Sequence, residues 1–189
     1  MIEPWIVPAL LAPAGMVLAT GLSRRAAETA HPPIGEILDL GDRSVHVVDR
    51  PGTDPQALPI VFVHGASGNA RDPLLAFGDA FPERRRLFLD RPGHGWSSRR
   101  GLADASPVVQ AEVVARLMDA LGIARAVVVG HSWGGSVAAA FGVHHRDRAA
   151  GLVFLAPATH PWPGAVIDIL YRLRSEEHTS ELQSRLHLV

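Results

Sequence analysis

The sequence predicts an α/β fold, a mostly parallel, doubly wound sheet with helices on both faces. Three observations predict it. Short apolar runs recur at Leu58-Pro59-Ile60-Val61-Phe62-Val63, Arg86-Leu87-Phe88-Leu89-Asp90, Ala126-Val127-Val128-Val129 and Gly151-Leu152-Val153-Phe154-Leu155-Ala156. They do not alternate with polar residues, as befits strands buried on both faces. Segments with helical periodicity separate them, which is the pattern of a parallel sheet with crossover helices. Finally, Ala126-Val127-Val128-Val129 passes directly into Gly130-His131-Ser132-Trp133-Gly134 and then into Gly135-Ser136-Val137-Ala138-Ala139-Ala140-Phe141. That is G-x-S-x-G at a strand-to-helix junction.

The elements follow in order. Trp5 to Leu22 is an uncharged run of 18 residues. As a helix it would span roughly 27 Å, enough for a membrane anchor. Pro8 and Pro13 are tolerable there, Trp5 suits an interface, and Arg24-Arg25 follow at once, which favours a cytoplasmic catalytic domain. The alternatives are a helix packed on the domain, in a soluble cytoplasmic or exported protein. No basic residue precedes the run, which argues against a cleaved signal peptide. Ala26 to Pro33 reads as a linker that Pro32-Pro33 close. Glu36 to Leu40 and Ser44 to Asp49 pair through Gly41-Asp42-Arg43 as a hairpin. His46 alternates with apolar neighbours there and reads as an exposed strand residue. Arg71 to Phe81 forms the next helix. Ser106 is a good N-cap and Pro107 a good first residue for a helix that runs to Leu121 and ends at Gly122. Its Val109, Val113, Val114, Leu117 and Leu121 recur at helical spacing and belong to the core.

The chemistry gathers at three motifs. A serine nucleophile needs a sharp turn at the carboxyl end of a strand, so that its hydroxyl projects from the sheet. Gly130 and Gly134 lack a Cβ, so the turn can be tight and the helix can lie close. Ser132 then stands at a helix N-terminus, whose partial positive charge favours a developing oxyanion. Upstream, the strand ending at Val63 runs into His64-Gly65-Ala66-Ser67-Gly68, and the strand ending at Asp90 runs into Arg91-Pro92-Gly93-His94-Gly95-Trp96-Ser97-Ser98. With G-x-S-x-G these segments, from about Gly35 to Pro163, resemble the α/β-hydrolase superfamily in its Ser-nucleophile branch. They match its H-G-x oxyanion loop and its D-x-P-G-x-G-x-S loop, in family order. The resemblance implies Ser132 as nucleophile and the backbone N–H groups of Ala66 and Trp133 as the oxyanion hole. It implies that His64, Gly65, Asp90, His94, Trp96 and His131 support the loops or line the pocket. Asp90 in that reading orders its own loop rather than serving as the catalytic acid, and His64 orders the oxyanion loop. Serine at the nucleophile position argues against the Asp-nucleophile branches.

A serine hydroxyl needs a base, and the base needs a carboxylate to orient it. The superfamily places them after the serine, in the order Asp or Glu, then His. Neither stands out between Ser132 and Val189. Asp147 reads as a solvated turn, Asp168 lies inside an apolar helical run, His144 and His145 end the helix after the serine, and His160 marks the entrance to a cap. From Arg174 the chain stops resembling a hydrolase. Arg174-Ser175-Glu176-Glu177-His178-Thr179-Ser180-Glu181-Leu182-Gln183-Ser184 resembles the in-frame translation of a common short-read sequencing adapter, codon for codon. The basic residues, 18 in all, are arginines throughout, and the body is rich in Ala, Gly, Pro and Val; the tail turns to Ser, Glu, Gln and His. The expected organisation is an N-terminal apolar segment over 1–30, a partial hydrolase domain over 31–173 lacking its last strands and most of its cap, and a non-native tail over 174–189. A chain of that kind is expected to be inactive, its acid and base being absent.

Composition excludes several classes. There is no cysteine, hence no disulfide and no thiolate chemistry. The ten histidines show no H-E-x-x-H or comparable ligand spacing, so no metal site is expected. No glycine-rich phosphate loop appears and no organic cofactor is expected. The net charge is −1 and the arginines are scattered, which argues against a nucleic-acid partner. The expected function is a serine-dependent, esterase-like hydrolase acting on a small acyl substrate. A competing reading is a C–C bond hydrolase or a cofactor-free haloperoxidase-like relative. A reading of another class is a noncatalytic, membrane-anchored binding module.

Overall fold

The structure, a computed structural model, describes the backbone of residues 6–159 and the side chains of residues 15, 16 and 18–159. The tail expected over 174–189, and with it Asp168 and His160, lies outside the described residues. Helix α1 spans Ile6–Ala30, so the segment expected as a linker from Ala26 is helical to Ala30. Ala26, Ala27 and Glu28 are strong helix formers. Arg24 pairs with Glu28 one turn on, at 3.2 Å. Pro32-Pro33 then prevent continuation. The chain divides after Ile34, and a second unit begins at Gly35. Among the described residues no helix is long and apolar enough to cross a membrane. The anchor expected at Trp5 to Leu22 thus gains no support here, and much of it falls on side chains outside the described set.

The second unit is built on a sheet of β1 (Glu36–Asp39), β2 (Ser44–Arg50), β3 (Ile60–Val63), β4 (Arg86–Leu89), β5 (Ala126–His131) and β6 (Ala149–Leu155), ordered β1-β2-β4-β3-β5-β6. β1 and β2 form the expected antiparallel hairpin. Gly41 takes φ +88° in its turn, a conformation that glycine adopts without strain, and Leu40 N–H donates to Arg43 O at 2.8 Å. β2 is antiparallel to β4, whereas β4, β3, β5 and β6 run parallel. Every residue of β3 and β4 is buried. The pleat sends successive side chains to opposite faces. Val61, Val63, Leu87, Leu89 and Val128 pack on one face with α3 (Pro107–Ala120) and α4 (Trp133–His144). Ile60, Phe62, Phe88 and Val129 pack on the other with Ala70, Leu74 and Phe77, the latter two from α2 (Arg71–Phe77). Both faces are therefore covered, as the unalternating apolar runs require.

Three local expectations need correction. α2 ends at Phe77, not Phe81, where Gly78 N–H closes the last turn on Leu74 O at 2.7 Å. Phe81 precedes Pro82, a position that disfavours right-handed helix, and it takes φ +53°. Ser106 occupies the N-cap position of α3 but makes no capping hydrogen bond, and its Oγ is buried without a partner. His46 is not exposed: it is 2 % accessible. The loop after β4 folds back over it, so both faces of β2 are covered.

Candidate active site

The turn between β5 and α4 centres on Ser132, whose backbone takes φ +51° and ψ −117°. This is a costly conformation for a residue with a side chain. Its neighbours allow it. A Cβ on Gly130 would stand 2.2 Å from Gly134 O, and one on Gly134 would stand 2.2 Å from Val63 O and 2.7 Å from His64 O. Helix α4 thus begins in backbone contact with β3, and only glycine fits at both places. Ser132 N–H donates to Leu155 O of β6, and Ser132 O accepts from Ala158 N–H, each at 2.9 Å. The turn is thereby tied on both sides. Trp133 opens α4, so its amide stands at the positive end of the helix. His131 is exposed, and Ser132 and Trp133 are half-buried.

The loop after β3 lies against this turn. A Cβ on Gly65 would be 3.2 Å from Ser132 Cβ and 3.2 Å from His131 Nδ1. Gly65 and the serine, far apart in sequence, are therefore neighbours. His64, 1 % accessible, donates from Nδ1 to Gly65 O at 2.8 Å and accepts Arg91 N–H at Nε2 at 3.0 Å. Burial, with the Arg91 charge nearby, pushes its pKa down from 6.5 to about 3. It is a neutral, fully engaged imidazole, with neither ring nitrogen left to take a proton from serine.

Arg91 was not singled out in the sequence, and it organises this loop. It is 1 % accessible, and among the described residues no carboxylate pairs with it. Its Nη2 donates to Gly65 O at 2.7 Å and reaches Ala66 O at 3.3 Å; its Nη1 donates to Gln110 Oε1 at 2.9 Å. Gln110 in turn donates to Asp104 O at 2.7 Å. Burial alone lowers the Arg91 pKa, to about 10, so the guanidinium stays charged at neutral pH. His94 Nε2 lies 2.8 Å from Ala66 O. One signal was available: Gln110 is polar on an otherwise apolar helix face beside Ala111, Val113 and Val114.

Asp90 follows β4 directly and holds the loop that begins there. Its Oδ1 accepts Ala70 N–H at 2.7 Å; its Oδ2 accepts Trp96 N–H at 2.8 Å and His46 Nδ1–H at 2.7 Å. Burial would raise its pKa, but these three donors outweigh burial and hold it below the ordinary carboxylate value. A Cβ on Gly95 would fall 2.0 Å from Asp90 Oδ2, so the loop closes tightly on the carboxylate. Ser97 Oγ donates to Asp90 O and accepts His46 N–H. Asp90 is thus saturated with donors from its own surroundings, and Trp96, half-buried, is placed through its amide.

Among the described residues no hydrogen bond reaches the Ser132 hydroxyl, and no metal-binding cluster occurs. Asp147 and His144 are exposed, and His145 pairs with Glu112 at 3.3 Å. None of them is joined to the serine. A cavity of about 530 Å³ lined by Asp119, Ile123, Arg125, Asp147 and Arg148 opens near the start of β5. Ser132 stands at the other end of that strand, where catalytic groups of such sheets collect.

Comparison with known proteins agrees with this fold. The family model described as alpha/beta hydrolase fold matches residues 59–175. The dihydrolipoyllysine-residue acetyltransferase component of the acetoin cleaving system of Cupriavidus necator is 39 % identical over 98 residues, 52 % of this chain and 26 % of that protein. The 2-hydroxy-6-oxo-6-phenylhexa-2,4-dienoate hydrolase of Comamonas testosteroni is 32 % identical over 110 residues, 55 % of this chain and 38 % of that one. A thermophilic esterase from Thermogutta terrifontis superposes with a TM-score of 0.59 at 28 % identity, over 70 % of this chain and 46 % of its own. The chain spans between 26 and 46 % of the length of these relatives. On the family match and the fold, this chain belongs to the α/β-hydrolase fold family.

Proposed function

We propose that the protein is a serine hydrolase acting on a small acyl substrate, with Ser132 as nucleophile and the amides of Ala66 and Trp133 as oxyanion hole. One observation carries the reading: Ser132 holds a positive φ at the β5–α4 junction, with the Gly65–Ala66 loop packed against it. In the reaction Ser132 Oγ bonds to the acyl carbon, its proton passes to a base, and the carbonyl π pair moves to oxygen. The resulting oxyanion is held by the two amides. Collapse re-forms the carbonyl and expels the leaving group with a proton, and water then releases the acid and frees Ser132. His64 and Asp90 support loops rather than move protons, because their polar atoms are already engaged. Among the described residues no histidine or carboxylate is hydrogen-bonded to the Ser132 hydroxyl, so the reading leaves the base and its carboxylate unassigned.

A second reading has a specific support, the similarity to a hydrolase named for a 2-hydroxy-6-oxo-dienoate. In it the same serine and oxyanion hole serve cleavage of a carbon–carbon bond next to a ketone. The test offers the protein and its Ser132→Ala variant short p-nitrophenyl esters and a vinylogous 1,5-diketone. Ester hydrolysis lost in Ser132→Ala supports the first reading and overturns the expectation that this chain is inactive. Turnover of the diketone alone supports the second. Ester hydrolysis that survives Ser132→Ala undiminished overturns the assignment of Ser132.

A further inference from the structure

The oxygen of the Gly65–Ala66 peptide accepts two hydrogen bonds from buried side chains, Arg91 Nη2–H at 2.7 Å and His64 Nδ1–H at 2.8 Å. The N–H of that same peptide belongs to Ala66. A trans peptide points its N–H away from its C=O, and no cis bond occurs among the described residues. Fixing the oxygen therefore fixes the direction of the Ala66 N–H. The next carbonyl, Ala66 O, is held as well, 2.8 Å from His94 Nε2. A closed ring results: Arg91 N–H donates to His64 Nε2, His64 Nδ1–H donates to Gly65 O, and Arg91 Nη2–H donates to the same oxygen. Isolating a guanidinium from water and from carboxylates is expensive, and here Nη2 reaches two peptide oxygens of the loop beside the serine, Gly65 O at 2.7 Å and Ala66 O at 3.3 Å, while Nη1 is held by Gln110.

We propose that Arg91 is a positioning residue for the oxyanion hole: with His64 it clamps and polarises the Gly65–Ala66 peptide, aiming the Ala66 N–H at the oxyanion that forms on attack by Ser132. Charge on the donor to a carbonyl draws electron density from the peptide and makes its N–H a stronger donor. The clamp also removes the reorganisation the loop would otherwise undergo as charge develops. Arg91 touches no reacting atom and acts through Ala66. This inference rests on the serine-hydrolase reading above.

The test is covalent capture of Ser132 by a p-nitrophenyl alkylphosphonate, whose phosphoryl oxygen gains charge in the hole. Capture is followed on the full chain by intact mass in alkaline buffer, where hydroxide can take the serine proton. Ser132→Ala is expected to abolish capture. Arg91→Met is expected to lower the maximal capture rate about tenfold, a fraction of what loss of a whole oxyanion donor costs. The half-saturating phosphonate concentration is expected to stay unchanged, a split that a merely unfolded or displaced loop would not give. Arg91→Lys keeps the charge and one donor, and it serves if Arg91→Met does not fold; its rate is expected to fall between the two. Full-rate capture in Arg91→Met or Arg91→Lys, with capture lost in Ser132→Ala, overturns the clamp alone. Capture that survives Ser132→Ala overturns the serine reading and the clamp with it.

Discussion

At the scale of single residues, backbone contacts and buried polar groups decide where the serine stands. Gly134 is the sharpest case. Its missing Cβ would meet two backbone oxygens, those of Val63 and His64, at 2.2 and 2.7 Å. Backbone cannot swing aside as a side chain can, so Gly134→Ala must push α4 away from β3. A loss of about 1–3 kcal/mol is expected from such overpacking, read from urea denaturation, together with slower capture of Ser132, because the displaced helix carries its turn. Asp90 is a second case. Asp90→Ala strands the Ala70 and Trp96 amides and the His46 ring, and each unsatisfied buried donor costs about 1–3 kcal/mol. His64 gives the protein an acid-sensitive step. Between pH 6.5 and about 3 the unfolded chain binds a proton at this imidazole that the folded protein refuses. Its contribution to stability is therefore complete above 6.5 and is lost as pH falls through that window. Asp90, with its pKa held down, loses its contribution in the same direction at lower pH. Thermal melts recorded downward from neutral pH are expected to show falling Tm, and His64→Gln is expected to flatten the fall above about pH 4.5, close to the ordinary carboxylate range. An equal slope in the variant would place the effect elsewhere.

At the scale of elements, the sequence was legible where one physical rule governed and misleading where two competed. β3, β4 and β5 were legible because runs of three or four consecutive apolar residues, too short for a buried helix and bounded by polar or turn residues, fit strands covered on both faces. The hairpin was legible because Gly41 supplies the one conformation its turn needs. His46 was misread because alternation in β2 implies a wet face, whereas the loop bearing Ser97 and Ser98 bonds back onto β2 at His46 and Ser44. That loop's path is a long-range fact, invisible to local pattern. Arg91 escaped notice for the same reason: nothing in Asp90-Arg91-Pro92-Gly93 distinguishes a buried guanidinium from a solvated one. The serine turn was legible because its glycines are required by contacts that the motif itself encodes. The cap of α3 shows how propensity fails when packing intervenes. A serine in this position ordinarily contributes about 1 kcal/mol through its side-chain hydrogen bond to the first turn. Ser106 makes no such bond, and its hydroxyl is buried without a partner. Ser106→Ala is therefore expected to change stability by less than about 0.5 kcal/mol, or to raise it, because a buried unsatisfied hydroxyl is removed. A loss of a full capping bond on urea denaturation would show that the hydroxyl finds its partner in solution.

At the scale of the whole molecule, the sheet is asymmetric in a way that bears on how the protein behaves in solution. Its first edge, β1, is short and bears Glu36 and Asp39, charges that discourage another strand from adding. Among the described residues, its other edge is β6, seven residues long and joined only to β5. Val153 and Phe154 are adjacent on β6, so they point to opposite faces, and they are 41 % and 40 % accessible. A long edge that is apolar on both faces offers unpaired backbone groups and a surface that gains by being covered, which is the arrangement that templates association. The same strand supports the serine turn, since Leu155 O receives the Ser132 amide. Association through β6 would therefore load the very turn that carries Ser132, the proposed nucleophile. We expect sedimentation velocity to show self-association that grows with concentration. Phe154→Lys removes part of the apolar surface and adds an edge charge. Covering the exposed part of a phenylalanine is worth roughly 1–1.5 kcal/mol, so the apparent dissociation constant is expected to rise about tenfold. Phe81→Lys, at a somewhat more exposed phenylalanine outside the sheet, is expected to leave association unchanged. If both variants sediment as the parent does at every concentration, β6 is not the associating edge.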